Sequence, residues 1–199
     1  MKKVLFLAAA MLALTLPAAN AQKVNTAKEL AKLEKADATS MDAKKGASAS
    51  TWVARGKAYA DAYALPTKEL GQGVPVQVLQ MNVGQPAGMV ESSFQGQPAV
   101  VLQYEYVDVY VDPATGFIIG WDQKLAVKEN LAETAIASLA KAYEIDKKQE
   151  SKIAPIALNL SNSLAEQGNA LNGMGRMVEA AQTFLLAFEA LNVVPSTTA

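Results

Sequence analysis

The sequence predicts a mainly α chain carrying a β insert, an α+β fold. Three observations carry that expectation. The C-terminal stretch Ser161–Pro195, SNSLAEQGNALNGMGRMVEAAQTFLLAFEALNVVP, has two apolar runs at helical spacing around a glycine-rich break, Gly173-Met174-Gly175. Two further helical patterns, around Trp52–Tyr63 and Asn130–Lys147, stand far apart in the chain. Between them lie proline, glycine and alternating Val/Tyr residues that suit strands and turns.

The chain has 199 residues, 51% hydrophobic and 19% charged, an ordinary globular balance. Its start, MKKVLFLAAAMLALTLPAANAQ, reads as a secretory signal peptide. Lys2 and Lys3 supply the positive end, Val4 to Leu16 the apolar run, and Ala19-Asn20-Ala21 a small-residue site for cleavage after Ala21. The apolar run is shorter than the roughly 20 residues a membrane helix needs, so no integral membrane span is expected in the mature chain. The signal removes two of the 18 basic residues, so 16 stand against 19 acidic ones, a net charge of −3. That balance gives no electrostatic case for nucleic acid. Without cysteine, disulfides and thiolate sites are excluded, and packing alone must hold an exported fold.

Taken in order, Lys23–Ala38 reads as a helix, with Thr26 as cap, Glu29 as capping-box partner, and Ala27, Leu30 and Leu33 on one stripe. Residues 39–50 read as a small, polar linker. TWVARGKAYADAY begins a helix that Pro66, Gly71, Gly73 and Pro75 then stop. Val74–Asn82 reads as a strand, because Val76, Val78 and Gln80 alternate with Gln77, Leu79 and Met81. Residues 84–98 read as a loop or irregular connection. Ala99–Val111 reads as one long strand, with Tyr104, Tyr106, Asp108 and Tyr110 on one side and the valines of 107, 109 and 111 on the other. Asp112–Gly116 is a hairpin turn in which Asp bonds local backbone, Pro fixes φ and Gly takes a left-handed conformation. Phe117–Trp121 returns, giving an antiparallel sheet of three or so strands. Asn130–Lys147 is helical, and residues 146–160 bridge to the C-terminal pair, with Pro155 expected in a helix's first turn.

The C-terminal stretch resembles one tetratricopeptide (TPR) repeat, a helix–turn–helix unit of about 34 residues. Gly168 stands at the first-helix glycine, Leu164 and Leu171 in the flanking slots, Gly175 at the turn, and Glu179-Ala180, Phe184 and Ala187 on the second helix, with Pro195 late. Trp52, Gly56 and Tyr59 have the W-x3-G-x2-Y spacing of a first helix. Ala135, Leu139 and Ala142 match Ala180, Phe184 and Ala187, and Ile145-Asp146 resembles the usual exit, with Lys147 where proline is common. The resemblance implies TPR-like antiparallel helix pairs, the first split by an inserted β-hairpin or small sheet. The expected organisation is a signal peptide (1–21), an N-terminal helix and linker (22–48), a split first repeat (49–147, insert about 66–130) and a second repeat (148–199). Val111–Gly116, V-D-P-x-T-G, also resembles hairpins of small exported PepSY-type domains, over too few residues to carry function.

No catalytic constellation is legible. The chain has no histidine, no G-x-S-x-G elbow, and in GNALNGMG no Lys-Ser/Thr ending for a phosphate loop. No enzyme activity, cofactor or metal is expected; Asp108 and Asp112 read as a strand residue and a turn residue. What remains is surface. The TPR resemblance places Ser50, Val53, Lys57 and Asp61, and Asn162, Ala165, Asn169 and Asn172, along the groove where that family grips extended peptides. Lys57 is the lone base among these eight, which does not favour clamping a terminal carboxylate. Tyr110 and Trp121, with Phe117, form a second candidate surface, or the buried face of the hairpin. The expected function is a non-catalytic scaffold or adaptor of the bacterial envelope, exported to the periplasm or secreted. Its partner would be another envelope protein or a peptide segment. Further repeats beyond Ala199 or a docking partner at the C-terminal end would complete the array. The rival is a small-ligand or cell-wall glycan-binding module that uses the insert's aromatic residues.

Overall fold

The computed structural model describes residues 25–197, so the signal-peptide reading of residues 1–21 lies outside the described residues. The architecture is mainly α with an inserted four-stranded antiparallel sheet, as the sequence predicts. Among the described residues the α-helices are α1 (Thr26–Met41), α2 (Ala49–Ala64), α3 (Val76–Val83), α4 (Leu131–Ile145), α5 (Glu150–Gly173) and α6 (Met177–Leu191). The strands are β1 (Gly88–Phe94), β2 (Gln97–Gln103), β3 (Val107–Val111) and β4 (Ile118–Gln123), in the order β1-β2-β3-β4. The chain divides into two compact units. One is Thr67–Leu125 with Gly173–Gly175; the other joins Asn25–Pro66, Ala126–Asn172 and the chain from Arg176 onward.

In the helical unit, α1 is capped one residue earlier than expected. The Asn25 carboxamide, rather than Thr26, accepts from the Lys28 N–H at 3.0 Å, and Glu29 pairs with Lys32 instead of closing a capping box. The linker is shorter than expected, because α1 runs to Met41. Asp42 then accepts from the Lys44 and Lys45 N–H groups, and the Trp52 indole donates to Gly46 O at 2.8 Å. Helices α2 and α4 run antiparallel. Arg55 meets Ser138, Gly56 faces Ala135 and Leu139, and Trp52 and Val53 pack at the far end with Leu139 and Ala142. That core continues through Ile153, Ala157 and Val194. Pro155 corrects the sequence reading. It is the sixth residue of α5, beyond the first turn, and its ring faces solvent, where the Ser151 carbonyl it leaves unpaired can bond water. Gly175 takes φ +77°, the left-handed turn expected between α5 and α6.

The insert departs from expectation at three places. Val76–Val83 is a helix rather than a strand. Its buried residues Val76 and Leu79 are three apart, Pro75 precedes it, and Gly84 at φ +85° ends it with its N–H on Gln80 O. Residues 88–94, expected to be irregular, form β1, joined to β2 by a two-residue turn with Gln95 at φ +52° and Gly96 at φ +76°. The expected long strand is two strands. Tyr104 N–H bonds Val107 O across a turn of Tyr104–Tyr106, and Gln103 pairs with Asp108. The Asp112–Gly116 hairpin stands as predicted. Asp112 accepts from Ala114 N–H and Thr115 Oγ1, and Gly116 lies at φ +73°.

Candidate interaction surfaces

Four features of the described residues bear on function: a polar clip in the helical unit, the exposed face of α5, the exposed face of α6 and the open edge of β1. The clip centres on Tyr59, which is 2% exposed on α2. Its hydroxyl donates to Asp37 of α1, with the two carboxylate oxygens 2.7 and 2.9 Å away, and accepts from Lys128 at 2.9 Å. Arg55 pairs with the same carboxylate at 2.9 Å and donates to Ser138 Oγ, which in turn donates to Thr134 O. The Arg55 and Lys128 cations also lie 4.8 and 5.2 Å from the centre of the Tyr59 ring. Burial would raise the Asp37 pKa, but hydrogen bonds from Tyr59, Arg55 and Lys128 outweigh it and hold the carboxyl below its ordinary value. The same Tyr59 contact and Asp37 raise Lys128, against its partial burial. Further along, burial beside Glu133 pushes the Tyr63 phenol up. Every charge in the clip is partnered, so its chemistry is that of a fastener: it ties α1, α2, α4 and the residues that re-enter this unit after the insert.

The expected groove residues sit as follows. Lys57 is exposed but pairs with Asp61 at 2.7 Å on its own helix, so its charge is shared. Asn162, Asn169 and Asn172 are exposed on α5 and Ala165 is half-buried. Ser50 is exposed and Val53 is packed against the core. Spacing within the repeat did not single out Asn159 and Glu166, which are exposed and share the α5 arc with Asn162 and Asn169. Their own i, i+3, i+7 spacing was the available signal.

The aromatic residues of the insert are placed differently. Trp121 is 2% exposed, paired across β3–β4 with buried Val109, and offers no ring face on which a sugar could stack. Tyr110 is half-buried with its ring centre 5.2 Å from that of Phe94, and Phe117 is exposed. Phe94 lies over Gly120, where a Cβ would come within 2.5 Å of its ring, so this sheet face is closed by an aromatic lid on a glycine floor. Burial pushes the Tyr104 phenol up to about 12, and that hydroxyl donates to Gly84 O. Asp108 lies 2.7 Å from the Lys124 ammonium, off the angle a hydrogen bond needs, while Asp112 serves its own turn; the two share no site.

The outer edges of the sheet differ. Residues 73–76 cover β4: Gly73 N–H bonds Ile118 O and Ile118 N–H bonds Val74 O. Among the described residues β1 has no neighbour beyond it in the sheet, and its residues Met89 to Ser93 are exposed. The repeat resemblance gives α6 only its inward positions, Ala180, Phe184 and Ala187, and does not reveal its outer face. Met177, Val178, Leu185 and Phe188 are all more than half exposed, and Phe184, itself 38% exposed, sets one ring edge against Gly168. No helix among the described residues is long and apolar enough to cross a membrane. Comparison with family models, curated proteins and solved structures returns no match to the chain.

Proposed function

We propose that the chain is an exported, TPR-like scaffold or adaptor of the bacterial envelope, which binds another protein and performs no catalysis. The carrying observation is that the same crossing occurs in two helix pairs. A Cβ on Gly56 of α2 would come within 2.7 Å of Leu139 on α4, and one on Gly168 of α5 within 2.6 Å of Phe184 on α6. In each pair the large residue sits between two buried alanines, Ala135 and Ala142 or Ala180 and Ala187. Equivalent positions recurring in separate pairs are what a helical repeat requires, and such repeats work by presenting surface. The exposed asparagines of α5 can both donate to and accept from an extended backbone. The open edge of β1 offers a second mode, strand addition, in which backbone groups supply affinity.

The test is a pull-down from envelope extract with residues 22–199 as bait. A specific partner should be recovered, and Asn162→Ala with Asn169→Ala should reduce its recovery several-fold if α5 is the contact. A Pro placed at Glu91 on β1 should do so if strand addition is. Repeated failure to recover any partner would count against the reading.

A further inference from the structure

We propose that α6 is a self-association helix, against which α6 of a second copy of this chain packs antiparallel. This deepens the scaffold reading above and rests on it for the view that the exposed faces are binding surfaces. At 3.6 residues per turn, Met177, Val178, Ala181, Phe184, Leu185 and Phe188 fall within an arc of about 120° along the whole helix. Val178 is 72% and Phe188 63% exposed, whereas Ala180, Ala187 and Ala190, on another face, are buried. A soluble helix ordinarily turns its apolar stripe inward. Here a second apolar stripe faces out, and an exposed continuous patch of this kind marks an interface.

Three features select a second copy as the occupant. Val178, Ala181, Leu185 and Phe188 have 3-4-3 spacing, the seam of a two-helix packing. Antiparallel, Val178 opposes Phe188 of the second copy and Ala181 opposes its Leu185. Each pairing recurs about the two-fold axis, as an isologous contact demands, and sets a smaller side chain against a larger one. The charges then agree. Glu189, exposed beside the seam near the C-terminal end, comes to the other copy's helix N-terminus, where the positive end of the helix dipole lies. A parallel pair would instead stack Glu189 on Glu189. A membrane surface fits less well, because the polar residues bordering the stripe are acidic or neutral, and Arg176 is paired with Glu179. A 15-residue helix spans only about 22 Å, so the contact is smaller than a standard interface and micromolar affinity is expected.

The experiment is sedimentation velocity of residues 22–199 across the micromolar range, with matched variants. The wild type should move from monomer to dimer with concentration. Phe188→Asp and Val178→Glu should each shift the midpoint at least tenfold while leaving the circular dichroism unchanged, since both side chains are largely exposed. The chain has no cysteine, so Ala181→Cys and Leu185→Cys proteins can be made and mixed. The mixture should crosslink faster than either alone, which reports the antiparallel register. A wild-type monomer throughout, a dimer indifferent to both substitutions, or faster crosslinking of like with like would overturn the proposal. A monomer that still captures an envelope protein would overturn self-association alone and leave the scaffold reading standing.

Discussion

A methyl group added at Gly56 meets a different neighbour from one added at Gly168, and the difference predicts unequal outcomes. At Gly56 the obstacle is Leu139, fully buried, with Ala135 O 3.2 Å away. At Gly168 it is the edge of the Phe184 ring, which is 38% exposed and free to swing outward. Gly→Ala within a helix gains about 1 kcal/mol of propensity, while overpacking a closed core costs about 1–3 kcal/mol. Gly56→Ala should therefore lower stability by up to about 2 kcal/mol, and Gly168→Ala should be close to neutral; urea unfolding of both decides it. Asp37 makes a second residue-scale prediction. Its folded carboxyl lies below the unfolded value, so its contribution is present above the ordinary carboxylate range and lost as pH falls through the folded value. Asp37→Asn leaves the buried Tyr59–Arg55 cluster short of its anion and should cost about 1–3 kcal/mol at pH 7. The gap between variant and wild type should narrow as the melt is repeated toward pH 3. With no histidine in the chain, wild-type stability should change little between pH 5 and 8.

Among the elements, those with period and punctuation in agreement were legible, and those where the two conflict were not. Helices α2, α4 and α6 and the Asp112–Gly116 hairpin carried both signals, whereas Pro155 inside α5 set punctuation against period. In α3 the alternating valines imitate a strand, yet Val76, Leu79 and Val83 also keep helical spacing, and Pro75 and Gly84 bound it. The punctuation was the better guide. The Tyr104–Tyr106 turn holds no Gly, Pro, Asn or Asp, so nothing local separates β2 from β3, and only their pairing does. The β1–β2 turn was hidden in a similar way. Gln95 occupies a left-handed position that Asn or Gly normally fills, at a cost of order 1 kcal/mol for a side chain of this kind. Gln95→Asn should accordingly raise stability by up to about 1 kcal/mol with the sheet unchanged. A drop in the melting temperature would show that the Gln95 side chain has a role of its own. The candidate surfaces followed the same logic. Exposed asparagines on α5 could be named from spacing, but Trp121 could not be placed inside or outside until its pairing with Val109 was known.

At the scale of the molecule, the helical unit is discontinuous in sequence, and its closure across the gap is a physical claim that can be tested. The unit leaves at Pro66 and resumes at Ala126, yet α2 and α4 pack antiparallel, so the end of α2 and the start of α4 lie at the same end of the pair. Tyr63 feels the Glu133 charge there, and Lys128, just after re-entry, is tied to Tyr59 and Asp37. Closing a flexible loop costs only about 0.6 kcal/mol more for each doubling of its length, so a long insert is cheap to carry and its loss brings little entropic gain. The packing of Gly56 against Leu139 and the charge clip should then suffice to hold the pair. Replacing Thr67–Leu125 with a short Gly/Ser linker should leave a monomeric or self-associating helical protein that melts cooperatively, with far-ultraviolet dichroism richer in helix per residue. Adding Tyr59→Phe to that shortened chain removes the hydroxyl that links Asp37 to Lys128 and should lower its melting point by several degrees. If the shortened chain instead unfolds without a transition, the insert is part of the helical unit's stability, and α2 with α4 cannot be a repeat that merely tolerates an interruption.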